Sequence, residues 1–399
     1  MKNNMQDKCV VLGVTGGIAV YKALDIASGL RKKNVSVNVI MTKSATEFVS
    51  PLTFQSISQN MVTVDMFAEP KAWEIQHISL AQKADVFLVA PATANIIGKV
   101  ANGIADDMLS TTIMATKAKV IFAPAMNTNM YENPIVQENI EKLKRLGYKF
   151  IEPDSGRLAC GDVGKGKLPK PEIIVEKVMT ELYPTKDLVG KNIIVTAGPT
   201  RANIDPVRFI SNNSSGKMGY EIAKEARDRG ANVTLISGKT SLDKPYGIEV
   251  VDVITNEDMY LAIKDRYDDA DIVIKAAAVA DYKAKEYSDQ KIKKGDGDLV
   301  ITMERDRDIL KTLGDNKKSQ ILVGFAAESE NVLENAQKKL HKKNLDLIVA
   351  NDISQEETGF QSDDNKVVIL LKNGDAIHLD KMSKREVAKN IFDCIMEKR

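Results

Sequence analysis

Cysteine, histidine and aromatic side chains are scarce in this 399-residue chain, which has three Cys, three His, one Trp and 5% aromatic residues overall. Cys9, Cys160 and Cys394 are too few and too scattered for a disulfide framework, and no paired Cys/His spacing marks a zinc site. A reducing, cytoplasmic setting is therefore expected. No apolar run is long enough to span a bilayer, and the opening MKNNMQDK leads straight into an apolar strand, so no membrane association is expected. Excess charge of either sign is also missing: 56 basic and 55 acidic residues leave a net +1, which gives no support to a nucleic-acid coat or a polybasic membrane anchor. What is present is an ordinary apolar content of 43% with 28% charged residues, in a chain long enough for two globular domains with complete cores.

Short Val/Ile/Ala-rich runs alternate with amphipathic stretches, the pattern of parallel strands joined by crossover helices. Strands are expected at Val10–Val14, Val35–Met41, Val86–Ala90 and Val120–Ala123, with helices over Ile18–Lys32, Leu109–Thr116 and Pro134–Leu146. The Pro/Gly/Lys-punctuated Tyr183–Lys191 stretch marks a domain boundary, giving domains 1–189 and 190–399. The second half repeats the rhythm, with strands at Ile193–Ala197, Val233–Ser237, Ile272–Ala276, Leu322–Phe325, Leu347–Ala350 and Val367–Leu371. Its helices fit Gly219–Arg229, Asp258–Tyr267, Val332–Lys343 and Lys384–Met396. The fold class is α/β: two three-layer domains, a flavodoxin-like or Rossmann-like parallel sheet first and a Rossmann-like domain second.

Two strands run into a glycine turn and then a helix, at Val10–Ala23 (VVLGVTGGIAVYKA) and from Ile193 (IIVTAGPT) to SSGKMGYEIAKEA. Such turns let unpaired helix amides meet an anion, although glycines also serve tight turns with no ligand. Ligands of doubly wound sheets sit beyond the carboxyl ends of strands, which draws attention to Thr15–Gly17, to PATAN (Pro91–Asn95) and to PAMN (Pro124–Asn127). His77 is suited to proton transfer at neutral pH, or is structural. Cys160 lies in the Gly- and Lys-rich Ser155–Lys167 loop, where basic neighbours tune a thiol, whereas Cys9 at the entry to an apolar strand reads as core.

Taken together, GVTGGIAVYKA, His77, PATANIIGKVANGIADDMLST, PAMN and ACGDVGKGK resemble the decarboxylase half of the bacterial bifunctional phosphopantothenoylcysteine decarboxylase/phosphopantothenate–cysteine ligases, over residues 6–180. The resemblance implies FMN against Gly16, Gly17, Ile18, Thr42, Ala92, Thr93 and Asn95. It further implies His77 as active-site base, Asn127 as binder of the substrate carboxylate and Cys160 as proton donor on a substrate clamp. The flavin is implied to oxidise the substrate's cysteine thiol to a thioaldehyde, taking a hydride from the carbon that bears sulfur as the thiol gives up its proton. This creates a sink for the carbanion left by decarboxylation, and the reduced flavin then returns the hydride while Cys160 delivers a proton. One departure stands in the clamp, where Lys167 replaces an expected arginine; charge is kept but bidentate geometry is lost.

In the second half, DPVRFISNNSSGKMG places Arg208 and Asn212 before a helix start, a combination suited to a phosphorylated acid. KAAAVADY (Lys275–Tyr282) reads as a strand ending in Asp281, either a magnesium ligand or a cap. Lys291 opens a KIKK run, either a solvated loop or a mobile cation for a phosphoryl leaving group. TAGPTR, DPVRFISN, SSGKMG, AAAVADY, KIKK, GFAAE and ANDI resemble the ligase part of the same fused enzymes, over residues 190–399. That resemblance implies attack of 4'-phosphopantothenate on CTP to give an acyl-cytidylate, from which cysteine displaces CMP. Arg208 and Asn212 are implied to handle the acyl-cytidylate, Lys291 to assist its formation and Asp281 to hold Mg2+ with the nucleotide. Lys275, Ala276, Ala277, Asp308, Ile309, Phe325, Lys339 and Lys343 are implied for CTP. A homo-oligomer with a trimer-based decarboxylase core and ligase dimers is implied as well. Two other readings stay open: an FMN-binding regulatory protein, and a flavin prenyltransferase-like domain fused to a nucleotide-binding module.

Overall fold

The computed structural model of the protein describes residues 7–67, 75–157, 161–294, 298–328, 332–352 and 364–397. The chain folds as two compact units, Met1–Tyr183 and Pro184–Arg399. The division falls at the head of the Tyr183–Lys191 stretch because that stretch packs on the second unit: Leu188 is fully buried in its core and Asp187 pairs with Arg229 at 3.2 Å. No helix among the described residues is long and apolar enough to cross a membrane.

The first unit runs β1 (Cys9–Val14), α1 (Val20–Lys32), β2 (Ser36–Met41), α2 (Lys43–Thr46), α3 (Pro51–Ser58), α4 (Gln76–Lys83), β3 (Val86–Ala92), α5 (Ala94–Ala101), α6 (Met108–Ala115), β4 (Lys119–Pro124), α7 (Thr128–Tyr131), α8 (Pro134–Arg145), β5 (Lys149–Phe150), β6 (Asp154–Arg157), β7 (Val163–Lys167) and α9 (Pro171–Leu182). Its sheet is parallel, in the order β2-β1-β3-β4-β5. Successive side chains of a strand face opposite sides, so Val10, Leu12 and Val14 enter one core with α1, α3 and α9. Val11 enters the other, with α5, α6 and α8, which makes three layers. Cys9, expected as core, is only partly buried at the strand entry and belongs to neither cluster; burial, reinforced by Asp85, still outweighs the 3.2 Å hydrogen bond from Asn38 and pushes its thiol pKa up. The helix expected from Ile18 begins at Val20, leaving Ile18 60% exposed at the mouth of the glycine turn.

The second unit runs β8 (Asn192–Ala197), β9 (Arg201–Asn203), β10 (Phe209–Ser211), α10 (Lys217–Asp228), β11 (Asn232–Ser237), β12 (Glu249–Asp252), α11 (Asn256–Tyr267), β13 (Ile272–Lys275), β14 (Tyr282–Ala284), β15 (Met303–Arg305), α12 (Ile309–Asp315), β16 (Ile321–Glu328), α13 (Val332–Lys342), β17 (Leu347–Asp352), β18 (Asp364–Leu371), β19 (Ala376–Ser383) and α14 (Lys384–Met396). Eight strands form one sheet, β12-β11-β8-β13-β16-β17-β18-β19, parallel as far as β17. The tail then turns back: β18 and β19 are antiparallel, so the sheet is mixed and carries an edge hairpin absent from the sequence reading. Ile193 and Val195 of β8 pack with α10 and α14, and Ile194 packs with α11 and α12, giving three layers again.

A second difference concerns KAAAVADY. Its strand stops at Lys275, and Asp281 stands beyond a loop rather than at a strand end. The loop leaves the sheet because its amides bind the β8 turn: Ala277 N–H donates to Thr196 Oγ1 (3.1 Å), Ala278 N–H to Gly198 O (3.0 Å) and Ala280 N–H to Thr200 Oγ1 (3.0 Å).

Candidate functional sites

At the carboxyl ends of β1, β2 and β3 the chain gathers three loops of the first unit. Thr15 is buried, donating from Oγ1 to Pro91 O (2.7 Å) and accepting from Thr93 N–H (3.1 Å), which fastens the glycine turn to the PATAN loop. Thr42 N–H donates to Val14 O (3.0 Å), and its hydroxyl caps α2 by accepting from Ala45 N–H. Two cavities of about 700 and 690 Å³ flank these loops and share Gly16, Thr93 and Met130. The first also takes in Gly17, Ile18, Lys22 and Asn127; the second takes in Thr42, Ser44, Asn95 and Lys99. Volumes of this size suit a cofactor or an extended small molecule. Gly16 and Gly17 contribute differently. A Cβ on Gly16 would lie 2.4 Å from Ser44 Cβ, whereas one on Gly17 would meet only Thr93 Cγ2, at 3.9 Å, so the backbone at 17 is open to a ligand. Ala92 is buried in β3 and lines neither cavity.

Asn127 caps α7, accepting from Asn129 N–H (2.8 Å) and donating from Nδ2 to Asp162 (2.8 Å). Asp162 belongs to the connection between β6 and β7, and that hairpin lies over the PAMN loop: Met126 N–H donates to Gly166 O at 3.0 Å. The approach requires glycine. Gly166 has φ +142°, and a Cβ there would sit 2.3 Å from Met126 O. The hairpin thus delivers Arg157 and Lys167 to the wall of the first cavity. Arg157 escaped the sequence reading, in which the Ser155–Lys167 segment was a loop. His77 lies half-buried on α4, whose Leu80 and Ala81 anchor it in the core, and it lines neither cavity. Cys160 lies outside the described residues.

In the second unit a cavity of about 400 Å³ is lined by Asn212, the Ser214–Gly219 turn, Lys275, Ala276, Ala277, Asp281, Phe325, Lys339 and Lys343. Gly216 caps α10 with φ +79°, and a Cβ there would meet Thr240 Cγ2 at 2.7 Å, so the turn is glycine for a steric reason. Asn212 Nδ2 donates to Val279 O (2.6 Å), tying the two loops that frame the cavity. Lys343 pairs with Asp308 at 2.9 Å. Asp308 itself caps α12 and stands outside the lining, and Ile309 is fully buried in the core. Burial, then repulsion from Lys343, pushes the pKa of Lys275 down to about 8 against the opposing pull of Asp308 and Asp281. Lys217, Asn351, Asn365 and Lys384 also line the cavity and were missed, their signals being single polar residues in otherwise ordinary helix and strand ends.

Arg208 and Lys291 do not line the cavity. Arg208 is held by Asp205, through Nε (2.9 Å), and donates to Ile292 O; Ile292 N–H in turn donates to Asp205 (3.2 Å). The lysine loop is therefore anchored one residue past Lys291. Burial opposes ionisation of Asp205, but hydrogen bonds from the Val207, Arg208 and Ile292 amides and from the Arg208 guanidinium hold its pKa well below the usual carboxylate range.

Two family models match: Flavoprotein over residues 1–183, and the DNA/pantothenate metabolism flavoprotein C-terminal domain over residues 188–398. A coenzyme A biosynthesis bifunctional protein of Bacillus subtilis (strain 168) is 52% identical over 392 residues, covering 97% of this chain and 96% of the relative. The chain belongs to the bifunctional coenzyme A biosynthesis proteins. Its counterpart in Escherichia coli (strain K12) is 44% identical over 379 residues, 94% of this chain and 93% of the relative. A crystal structure of the C-terminal domain of such a protein covers 54% of this chain and all of its own, at 45% identity and a TM-score of 0.47. The chain is accordingly a two-activity enzyme of coenzyme A biosynthesis, decarboxylase in its flavoprotein half and ligase in its C-terminal half, as the motifs implied.

Proposed function

We propose that the C-terminal unit condenses 4'-phosphopantothenate with cysteine through an acyl-cytidylate made from CTP, and that the N-terminal unit decarboxylates the product to 4'-phosphopantetheine with FMN. The observation that carries the proposal is the convergence of separately read motifs on two strand-end sites, each with a glycine turn and polar loops.

In the first site, FMN fits the open backbone at Gly17 together with Gly16, Ile18, Thr42, Thr93 and Asn95, while Ala92, buried in β3, backs the loop without facing either cavity; the cofactor supplies reversible hydride acceptance when bound. Asn127 orients the substrate carboxylate. Its amide already donates to the Asp162 carboxylate, so substrate binding exchanges one carboxylate for another of the same geometry. Cys160, on the segment joining β6 to β7, delivers the closing proton. His77 acts as base on a homo-oligomer, in which another copy brings α4 to the cavity it does not reach in its own unit.

In the second site, Asn212 and Arg208 handle the acyl-cytidylate while Lys291 approaches the transferring phosphoryl group. CTP is held by Lys275, Ala276, Ala277, Phe325, Lys339 and Lys343, with Asp308 acting through its ion pair to Lys343 and Ile309 through the start of α12. Among the described residues no group of three His, Cys, Asp or Glu side chains forms a metal cage. That fits Mg2+ carried mainly by a triphosphate, with Asp281 as its protein ligand.

Incubation with 4'-phosphopantothenate, cysteine, CTP and Mg2+, followed by mass spectrometry, tests the whole assignment; absence of both the amide and its decarboxylated form overturns it. A narrower prediction concerns Lys275. A lysine titrating at about 8 is charged below that pH and neutral above it, so affinity for an anionic nucleotide is expected to fall as pH rises from 7 to 9, by up to about tenfold per unit above the pKa. Nucleotide binding at pH 8 should also take up protons, measurable by calorimetry in buffers of different ionisation enthalpy. Both effects should disappear in Lys275→Met.

A further inference from the structure

The first cavity carries a charge imbalance that the roles given above leave unused. Its lining includes three cations, Lys22, Arg157 and Lys167, and no carboxylate among the described residues. Neither Arg157 nor Lys167 has an ion-pair partner among the described residues, although partners are close to the same hairpin. Lys165, two positions before Lys167, is neutralised by Glu152 at 2.9 Å. Lys22 does no more than approach Leu168 O, at 3.5 Å. Arg157 and Lys167 are exposed and Lys22 is half-buried, and with no ion-pair partner for them among the described residues the three bias the cavity of about 700 Å³ toward positive potential, which favours a dianion over a single carboxylate.

The two hairpin cations differ in kind. Lys167 provides a point charge; Arg157 provides a planar fork that meets two oxygens of one phosphate. They stand on opposite strands of one hairpin, Lys167 opposite Asp154 and Arg157 opposite Val163, so both move with it. Gly164 and Gly166 let the hairpin lie directly on the PAMN loop, which fixes both cations relative to Asn127.

We infer that Arg157 is a specificity-determining residue of the decarboxylase, gripping the terminal phosphate of the substrate bidentately while Lys167 and Lys22 complete its neutralisation. Arg157 thereby supplies, from β6, the forked geometry that lysine at 167 lacks. The inference rests on the decarboxylase reading of this site. Its consequence is selectivity: the phosphorylated substrate is preferred because an unphosphorylated one leaves these cations without a partner.

The test compares wild type, Arg157→Gln and Arg157→Lys as full-length holoenzymes, each with 4'-phosphopantothenoylcysteine and with pantothenoylcysteine lacking the phosphate. Loss of a charge-assisted hydrogen-bond pair is expected to raise KM for the phosphorylated substrate about 10- to 100-fold in Arg157→Gln, with kcat changed little. KM for the unphosphorylated substrate should stay within about twofold, and Arg157→Lys should recover part of the loss. FMN content, read from the flavin absorbance of purified protein, should be unchanged. Equal KM values in wild type and Arg157→Gln overturn the inference. So does a matching rise for both substrates, which would make Arg157 a brace for the hairpin, and so does loss of flavin, which would place its grip on the cofactor phosphate. A wild-type enzyme that decarboxylates neither substrate defeats the decarboxylase reading itself, an outcome separate from all of these.

Discussion

Replacing His77 with asparagine is expected to lower decarboxylation by about 10²- to 10⁴-fold, the usual contribution of a positioned general base, and to leave amide formation by the ligase half unchanged. The two halves are separate compact units with separate cavities, so the second readout controls for the amount of intact chain, and retained FMN absorbance reports folding of the first unit. Geometry makes a further demand. α4 holds His77 by burying Leu80 and Ala81, and neither cavity of its own unit is lined by the imidazole. If the base works across copies, mixed oligomers of His77→Asn and Asn127→Ala subunits regain activity that neither variant has alone, because some sites then combine an intact His77 with an intact Asn127. Full activity in His77→Asn removes the residue from the mechanism. An inactive variant with no recovery on mixing places both residues in the same subunit's site.

The parts of the fold that were legible in the sequence are those in which one physical signal dominates. Fully apolar runs such as Val10–Val14 can only be buried on both faces, so the central strands and their parallel connection followed directly. β19 was missed for the opposite reason: AIHLDKMS sits at the sheet edge with half of its residues exposed and only Leu379 buried, and its pairing to β18 leaves little apolar trace. α5 was hidden inside PATANIIGKVA, where a proline-led loop passes into a helix without a side-chain cap at Thr93. Small residues misled the reading of KAAAVADY. Ala276–Ala280 looks like a strand continuing, yet hydrogen bonds from its amides to Thr196, Gly198 and Thr200 pull it out of the sheet. The same loop nonetheless brings Asp281 to the cavity wall, so the residue was found although its setting was not. Arg157 shows the converse limit. Its own neighbours suggest solvent exposure, and it is exposed; what they do not show is that the docking of the hairpin on Met126, through Gly166, sets it on a cavity wall.

Asp205→Asn is expected to reduce ligase turnover on the order of 100-fold, through displacement of the lysine loop, while decarboxylation is unaffected. The carboxylate is buried and accepts from Val207 N–H (2.8 Å), Arg208 N–H (2.7 Å), Arg208 Nε (2.9 Å) and Ile292 N–H (3.2 Å). An amide of the same shape offers one oxygen in place of two, so its nitrogen must face donors, and the charge that holds Arg208 is gone. Arg208 would then lose its lock and Ile292 both of its anchors, leaving Lys291 without a fixed hinge. The pH dependence follows from the sign of the shift. A carboxylate whose folded pKa is depressed contributes fully above its ordinary value of about 3.9 and loses that contribution only as pH falls further, so this group adds no pH dependence to ligase activity from about pH 5 to 8. Full ligase activity in Asp205→Asn would sever the anchor from catalysis. Coupling distinguishes the remaining cases: if Asp205 acts by positioning Lys291, then Lys291→Ala costs far less in the Asp205→Asn background than in wild type, whereas independent roles give multiplicative losses.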